Sequence, residues 1–544
     1  MGTLVGIALC VGNKRAVATA PTGIMTFADP AMQALCAKTW GDGTNITYEQ
    51  AREVTEIPKN WAKDNTTITS FNEIKYFKNL LYIRERAFTN CSNLVINEIS
   101  LPNVLLIELS AFANCTALGC ELLNLPSCET LGTTVFYNTT IKMVVLPKLK
   151  TIADSSRGYG CFQKIPNLES VTLRDIEYIG DYSFSDDKKL VLDSIEYPNL
   201  TRIGQAAFAN CTLTLNKAIL HNCKKIEKSA FNGCSSMALT SLELPQCTSI
   251  GEAAFLNCAS MNADINLPQL TSIGIRAFHN SGIAKVTSLG SITSLPDGVW
   301  TGSVYAGVFY GCTQLKTIIL PDSLTSIGTG SFNGCKLLES VTFGSNISKI
   351  GNNAFSECPN LNIDELNLPL LSSIGSEAFQ NCRIVKITSL GSITSLPDGG
   401  FNSTYSYIGV FARNEQLKSA SLPNSITVLG NGSFNRCTSL TQINIPEGVT
   451  SLRQVCFNRC SALESIELPS TVTAIGPSAF QYCTGLTRVS ITADTPPSLG
   501  SSAFADCSAL TGIYVPDESV EAYKTATNWS AYANKILPLS QYNG

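Results

Sequence analysis

Along most of the chain, apolar residues recur in one order: Leu-x-x-Ile-x-Leu, then a lone Ile, then an Ala-Phe pair, with short runs of Ser, Thr, Asn and Gly between them. Residues 460–483, CSALESIELPSTVTAIGPSAFQYC, carry the pattern in full. Ile466 and Leu468 alternate with Ser465 and Glu467, the period of two that turns one face of a strand inward. Pro469 ends that strand because it brings no amide hydrogen to a ladder. After a turn, TAIG predicts a second short extended piece with Ile475 inward, and SAFQYC closes the coil.

With the Phe as register, units fall at 88, 112, 136, 162, 184, 208, 231, 255, 278, 309, 332, 355, 379, 411, 434, 457, 480 and 504. The steps are 22 to 26 residues apart from two longer ones, and a period near 23 lies within the leucine-rich-repeat range. One such coil has no second layer, so it cannot bury Leu463, Ile466, Leu468, Ile475 and Phe480 by itself. Stacking coils turns each of these positions into a column and lines the strands up as a parallel sheet, about 4.8 Å apart. The pattern therefore predicts a repeat solenoid of about 18 coils over residues 80–515, with a parallel β-sheet on its concave face.

The flanks divide into an N-terminal extension, 1–25, a helical N-terminal cap, 26–79, and a C-terminal helical cap, 516–544; caps are needed because end coils would otherwise expose the core. MQALCAKTW and TYEQAREV read as two short helices around GDGTN. That loop is a poor calcium site: with Gly43 as its tight-turn glycine, the first two ligand positions would be Lys38 and Trp40. At the other end, DESVEAYKTATNW places Val520, Tyr523 and Ala526 on one helical face behind an N-cap candidate, Asp517 or Ser519.

Thirteen of the 21 cysteines stand three residues after the column Phe; in three further coils that place holds Thr139, Ser281 or Asn414. Small hydrogen-bonding replacements point to an inward turn position where the side chain meets backbone groups, and so to buried, inert thiols. Zinc would need paired ligands such as C-x-x-C, which do not occur, and the two histidines, His221 and His279, are far apart. No metal or other cofactor is expected.

LESIELPSTVTAIGPSAFQYC and its copies resemble the BspA-like leucine-rich repeats of surface proteins from mucosal bacteria and parasites, over roughly residues 80–515. FADPAMQALCAKTWGDGTNITYEQAREVTEI resembles a leader that often precedes those repeats, and TPPSLGSSAFADCSALTGIYVPDESVEAYKTATNWSAYANKI resembles their usual ending. The resemblance implies binding and adhesion to host or matrix molecules without catalysis, and names no partner.

Charge narrows the partners. Only 15% of residues are charged and the net charge of −4 is spread without basic runs, which argues against nucleic acid and against a polybasic membrane patch. No apolar stretch approaches 18 residues, so membrane insertion is not expected. In LVGIALCVG the positive charges, Lys14 and Arg15, follow the apolar run, the reverse of an export signal, although AVATA would pass as a cleavage site. Enzyme chemistry has no constellation to rest on: no G-x-S-x-G, no phosphate loop and no paired carboxylates in a cleft-forming context.

Two coils are long. KVTSLGSITSLPDGVWTGSVYAGVF and KITSLGSITSLPDGGFNSTYSYIGVF are near copies, offset by 101 or 102 residues, as if a four-coil block had been duplicated. Their insertions, near 298–308 and 399–410, collect Trp300, Tyr305, Tyr310, Phe401, Tyr405 and Tyr407. Insertions in solenoids map to loops on one face, and aromatics there supply contact area at low entropic cost. The alternative is that these rings fold back over the wider coil. A second candidate surface is the polar column between the inward strand residues, among them Thr172, Glu243, Asn444, Glu467 and Ser490.

The expected function is non-enzymatic recognition of a host or bacterial surface glycan or protein, by a protein at the cell surface or outside the cell. The alternative is a structural or receptor-binding component of a bacteriophage virion, docked into a larger assembly through residues 1–25 and needing no export signal.

Overall fold

Each coil contributes two short strands, and neighbouring coils pair them in parallel, so that a solenoid of about 21 turns carries two sheets along its length. The computed structural model describes residues 20–542, except 156, 193 and 402–406. The LVGIALCVG segment with Cys10, and Tyr405, lie outside the described residues.

The strand typified by Ser465–Leu468 alternates as its sequence predicts: Ile466 and Leu468 are buried and Glu467 faces out. Strands of this kind pair in runs of three or four, the last being Ser465–Leu468, Arg488–Ile491, Gly512–Val515 and Ile536–Pro538. The longest sheet is built instead by the two-residue strands of the TAIG kind, ten in a row from Glu56–Ile57 to Ser272–Ile273. It resumes at Ser294–Leu295 and again at Ser395–Leu396, the strands that precede the insertions of the two long coils. Its first strand, Glu56–Ile57, pairs with Tyr82–Ile83, so stacking already begins inside the segment read as a helical cap. The Phe register passes over that coil because Ala62 stands where later coils carry Phe: its amide donates to Ala87 as the Phe88 amide does to Ala111.

The eighteen column Phe rings form one continuous stack from Phe88 to Phe504, with centroid steps of 4.9 to 5.9 Å and interplanar angles of 1° to 19°. Adjacent aromatic pairs add roughly 0.5–1.5 kcal/mol beyond the area they bury. Trp61 closes the stack edge-on against Phe88 at 5.6 Å, and Trp529 meets Phe504 at the other end at 6.1 Å. The fold is thus plugged by indoles as much as by helices.

The Ala-Phe turn is a third ladder. The amides of Arg86, Phe88 and Asn90 donate to the next coil, at Leu109, Ala111 and Ala113, while those of Ala87, Thr89 and Cys91 donate back within their own coil. The alternation requires left-handed backbone at Arg86, φ 55°, and Asn90, φ 62°. Asn recurs two residues after the Phe because it enters that region more readily than most side chains.

At the N-terminus, helices Pro30–Trp40 and Tyr48–Glu53 flank the GDGTN loop, where Asp42 accepts from the amides of Thr44 and Asn45 at 2.8 and 2.6 Å. That carboxylate serves the turn. At the C-terminus, helix Val520–Thr525 packs Val520, Tyr523 and Ala526 against the core as its period predicts. Neither proposed N-cap side chain caps it: the Ser519 hydroxyl donates to Asp494 and the Asp517 carboxylate accepts from the Ser540 amide. Among the described residues, no helix is long and apolar enough to cross a membrane.

Candidate functional site

Both long coils place their extra residues in a β-hairpin at the same point of the coil, after the two-residue strand and before the column Phe. In the first, Val299–Trp300 pairs antiparallel with Tyr305–Ala306, and the loop closes through the Thr301 amide on the Val304 carbonyl at 2.9 Å, with Gly302 at φ 96°. In the second, Gly400–Phe401 pairs with Tyr407–Ile408. The cross-strand ring pairs match: Trp300 and Tyr305 at 5.1 Å and 60°, Phe401 and Tyr407 at 5.0 Å and 63°.

These rings do not roof the wider coil. Trp300 and Phe401 are each 58% exposed, whereas Ala306, Val308 and Val410 are fully buried and cover the core there. Tyr305 is exposed and Tyr407 half-buried. Tyr310 stands apart from the hairpin, half-buried in the turn after Phe309, with its ring 4.8 Å from that of His279. Burial and nearby Arg276 push the His279 imidazole down to about 4, so it is neutral at physiological pH. Four stack steps of 5.0 to 5.9 Å separate Phe309 from Phe411, which sets the hairpins four coils apart.

Each hairpin is anchored to the following coil. Gly298 donates to Thr329 and Gly399 to Asn431; Asp297 accepts from the Thr329 amide at 2.8 Å and Asp398 from the Asn431 amide at 2.8 Å. These bonds hold both carboxyls in place; those on Asp297 keep it below the usual carboxylate range despite burial. Lys349 approaches Asp297 at 3.8 Å, and Arg453 pairs with Asp398. The second hairpin is also held from the preceding coil: Glu377 accepts from the Gly400 amide at 3.1 Å and from Asn353 at 3.0 Å. Burial raises the Glu377 carboxyl above its ordinary value. The aspartates were visible in the sequence as the repeated LPDG; nothing marked Glu377 before its coil was placed beside the hairpin.

The polar strand column faces out over most of its length, Thr172, Glu243, Asn444 and Glu467 included. Ser490 is buried, because the C-terminal segment returns over this end: Tyr542 packs on Tyr514 at 5.1 Å and donates to Glu467 at 3.3 Å. A recess of about 700 Å³ remains beside it, lined by Thr388, Ser421, Gln442, Asn444 and Glu467 among others.

The thiols belong to the scaffold. Cys460 donates to Phe434 O at 3.3 Å and Cys335 to Phe309 O at 3.1 Å, each to the Phe of the preceding coil. Asn414 does the same with its amide, reaching Phe379 O at 2.7 Å and Phe411 O at 2.9 Å. All twenty cysteines of the described residues are buried and free. No group of three or more His, Cys, Asp or Glu is arranged to hold a metal among the described residues.

The family model for the BspA-type leucine-rich repeat region matches in six copies, over residues 54–157, 155–284, 235–305, 301–408 and 407–531. Solved structures similar to this chain include a leucine-rich repeat protein from Bacteroides ovatus, 19% identical over 84% of this chain and 87% of that one, TM-score 0.32. A leucine-rich cell surface protein from Faecalibacterium prausnitzii is 20% identical over 73% and 92%, TM-score 0.32. The pneumococcal vaccine antigen PcpA is 13% identical over 74% and 84%, TM-score 0.29. No curated protein matches the chain.

Proposed function

The chain belongs to the BspA-type leucine-rich repeat family, and on that footing we propose that it is a non-enzymatic recognition protein, acting at the cell surface or outside the cell, that engages a surface glycan or protein through its two aromatic hairpins. The single observation that carries this reading is the exposure of Trp300 and Phe401 at equivalent places of the two hairpins. Among the described residues they are the only tryptophan and phenylalanine side chains left exposed, in a solenoid that buries eighteen phenylalanine rings in one stack. Each exposed ring costs hydrophobic free energy that a partner would recover, and large rigid rings are favoured anchors at interfaces. Two hairpins on one rigid spine can also touch one extended ligand or two repeats of a polymer, which raises avidity without new contacts.

The family consists of repeat proteins that are generally not enzymes, which agrees with the use of buried thiols as packing and of carboxylates as hairpin anchors. Replacing Trp300, Tyr305 and Phe401 by Ala should abolish attachment to surface glycans or glycoproteins while leaving the melting temperature nearly unchanged, and retained attachment would overturn the proposal.

A further inference from the structure

Beside the second hairpin, three successive coils carry arginine at the same place, two residues after the column Phe: Arg413, Arg436 and Arg459. Backbone bonds fix them in register, from Arg413 N to Asn435 O at 2.8 Å, Arg436 N to Asn458 O at 2.8 Å and Arg459 N to Gln481 O at 2.9 Å. The underlying Phe rings step by 5.6 and 5.5 Å, so the guanidinium groups spring from points one coil apart. Tyr482 continues the column, with the Arg459 guanidinium 4.4 Å from its ring centre. Among the described residues, none of the three arginines has an ion-pair partner, and their side chains are half-buried to exposed.

The duplicated block supplies an internal control. At the matching places, 102 or 101 residues earlier, the first block carries Gly311, Gly334, Glu357 and Asn381. All eight positions are left-handed, with φ from 56° to 75°. Glycine enters that region freely, whereas arginine does so against its backbone preference, and three like charges on adjacent coils repel one another. Where the first block is neutral or acidic, with Glu357 held by Asn381 at 2.8 Å and Gln380 at 3.0 Å, the second is cationic at three of its four places, with no ion pair to any of the three among the described residues. Neither packing nor turn geometry asks for that change.

The ladder touches the hairpin. Asn435 Nδ2 donates to Tyr407 O at 2.9 Å, and the same residue's carbonyl accepts from the Arg413 amide at 2.8 Å. The hairpin strand that carries Tyr407 and the turn that carries Arg413 are therefore direct neighbours on this surface, and Phe401 pairs with Tyr407 across the hairpin. We infer that this surface is a binding site for an acidic polysaccharide, with sugar rings against the hairpin aromatics and sulfate or carboxylate groups, repeating along the chain, on Arg413, Arg436 and Arg459. Guanidinium forks suit both anions bidentately. The site deepens the function proposed above and rests on it only for the contribution of the hairpin. The positive stretch is short, three coils closed off by Tyr482 and then Asp506, which fits a few sugar residues better than a nucleic acid strand in a chain of net charge −4.

The test uses the full chain with heparin, polygalacturonate, dextran and a thymidine oligonucleotide as probes. Binding to at least one of the two acidic polysaccharides, none to dextran, and loss of about tenfold or more in Arg413→Gln/Arg436→Gln/Arg459→Gln at unchanged melting is the expected result. Should that triple variant fail to fold, Arg436→Gln alone should still weaken binding, and Gly334→Arg/Glu357→Arg, which rebuilds the cationic column beside the first hairpin, should strengthen it. Absence of binding to both polyanions, full retention in the arginine variants, or tighter binding of the oligonucleotide would overturn the inference. Polyanion binding that depends on the arginines but survives Phe401→Ala supports the ladder while removing the second hairpin from the reading above.

Discussion

The thiol of Cys460 donates to the carbonyl of Phe434, one coil before its own, at 3.3 Å, and the amide of Cys437 donates to that same oxygen at 3.1 Å. One carbonyl thus receives a bond from within its coil and a bond from the next, which ties the turn to the stack. Cys460→Ala leaves only the first, and a loss of about 0.5–1.5 kcal/mol in the urea unfolding of the solenoid is expected. Serine should not rescue it: Thr139, with its shorter C–O bond, reaches Phe136 of its own coil, at 2.8 Å, rather than the coil before.

The same burial keeps the thiols protonated. Desolvation pushes Cys91, Cys120, Cys247 and Cys507 up to about 11, and Cys128, Cys223, Cys312 and Cys358 up to about 12, from an ordinary 9.0. Their folded values are raised, so this stability is fully present below pH 9 and is lost as pH rises through 11 and 12. In that interval each thiol removes about 1.4 kcal/mol per pH unit, because unfolding releases its proton. A steep alkaline unfolding above pH 9, with few thiols labelled by a maleimide at pH 7 until denaturant is added, is the expected outcome. Rapid labelling of most thiols in the native protein would contradict it.

Asp187 occupies the cysteine place of its coil, fully buried, with one carboxylate oxygen accepting from the Ile165 amide at 2.8 Å and the other without a partner among the described residues. Burial raises its carboxyl well above the ordinary value, with Asp186 adding to that and Lys188 opposing it. Because the folded value is raised, stability falls as pH climbs from the ordinary 3.8 toward the folded value. Asp187→Asn supplies the donor that Asn414 uses at the equivalent place, so it should stabilise the protein by about 1–3 kcal/mol at pH 7 and flatten the acid side of the stability curve. A destabilised variant would show that the carboxyl has a use that Asn cannot meet.

Phe355 lies between Phe332 at 5.0 Å and Phe379 at 5.2 Å, in the middle of the stack. Phe355→Ala should cost about 3–5 kcal/mol through lost transfer energy and a residual cavity. Coils in a solenoid depend on their nearest neighbours, so amide exchange should rise first in the flanking coils rather than at the ends.

The stack, its period and the inward strand residues were legible because one residue type recurs at each position. The exceptions were not. The coil that begins at Glu56–Ile57 was hidden by Ala62 in the Phe place, and Asp187 was passed over because a buried carboxylic acid does not look like a thiol. The hairpins read as loops, since two-residue strands are too short to show an alternating pattern, and only pairing across the insertion makes VW and YA strands. Trp529 looked like the end of a helix; it is the plug on Phe504, and its indole donates to Pro497 at 2.7 Å. Tyr310 was grouped with the hairpin rings by proximity in sequence, and the turn after Phe309 carries it away to His279.

Recognition through the exposed rings is tested most directly by comparing the full chain with Trp300→Ala/Tyr305→Ala/Phe401→Ala on an array of immobilised polysaccharides and glycoproteins, with melting followed in parallel. Because Trp300 and Phe401 are 58% exposed, the variant should melt within a few degrees of the parent while losing the array signals that the parent gives. A variant that keeps every signal, or one that melts early and still binds, would contradict the account and place recognition elsewhere on the solenoid.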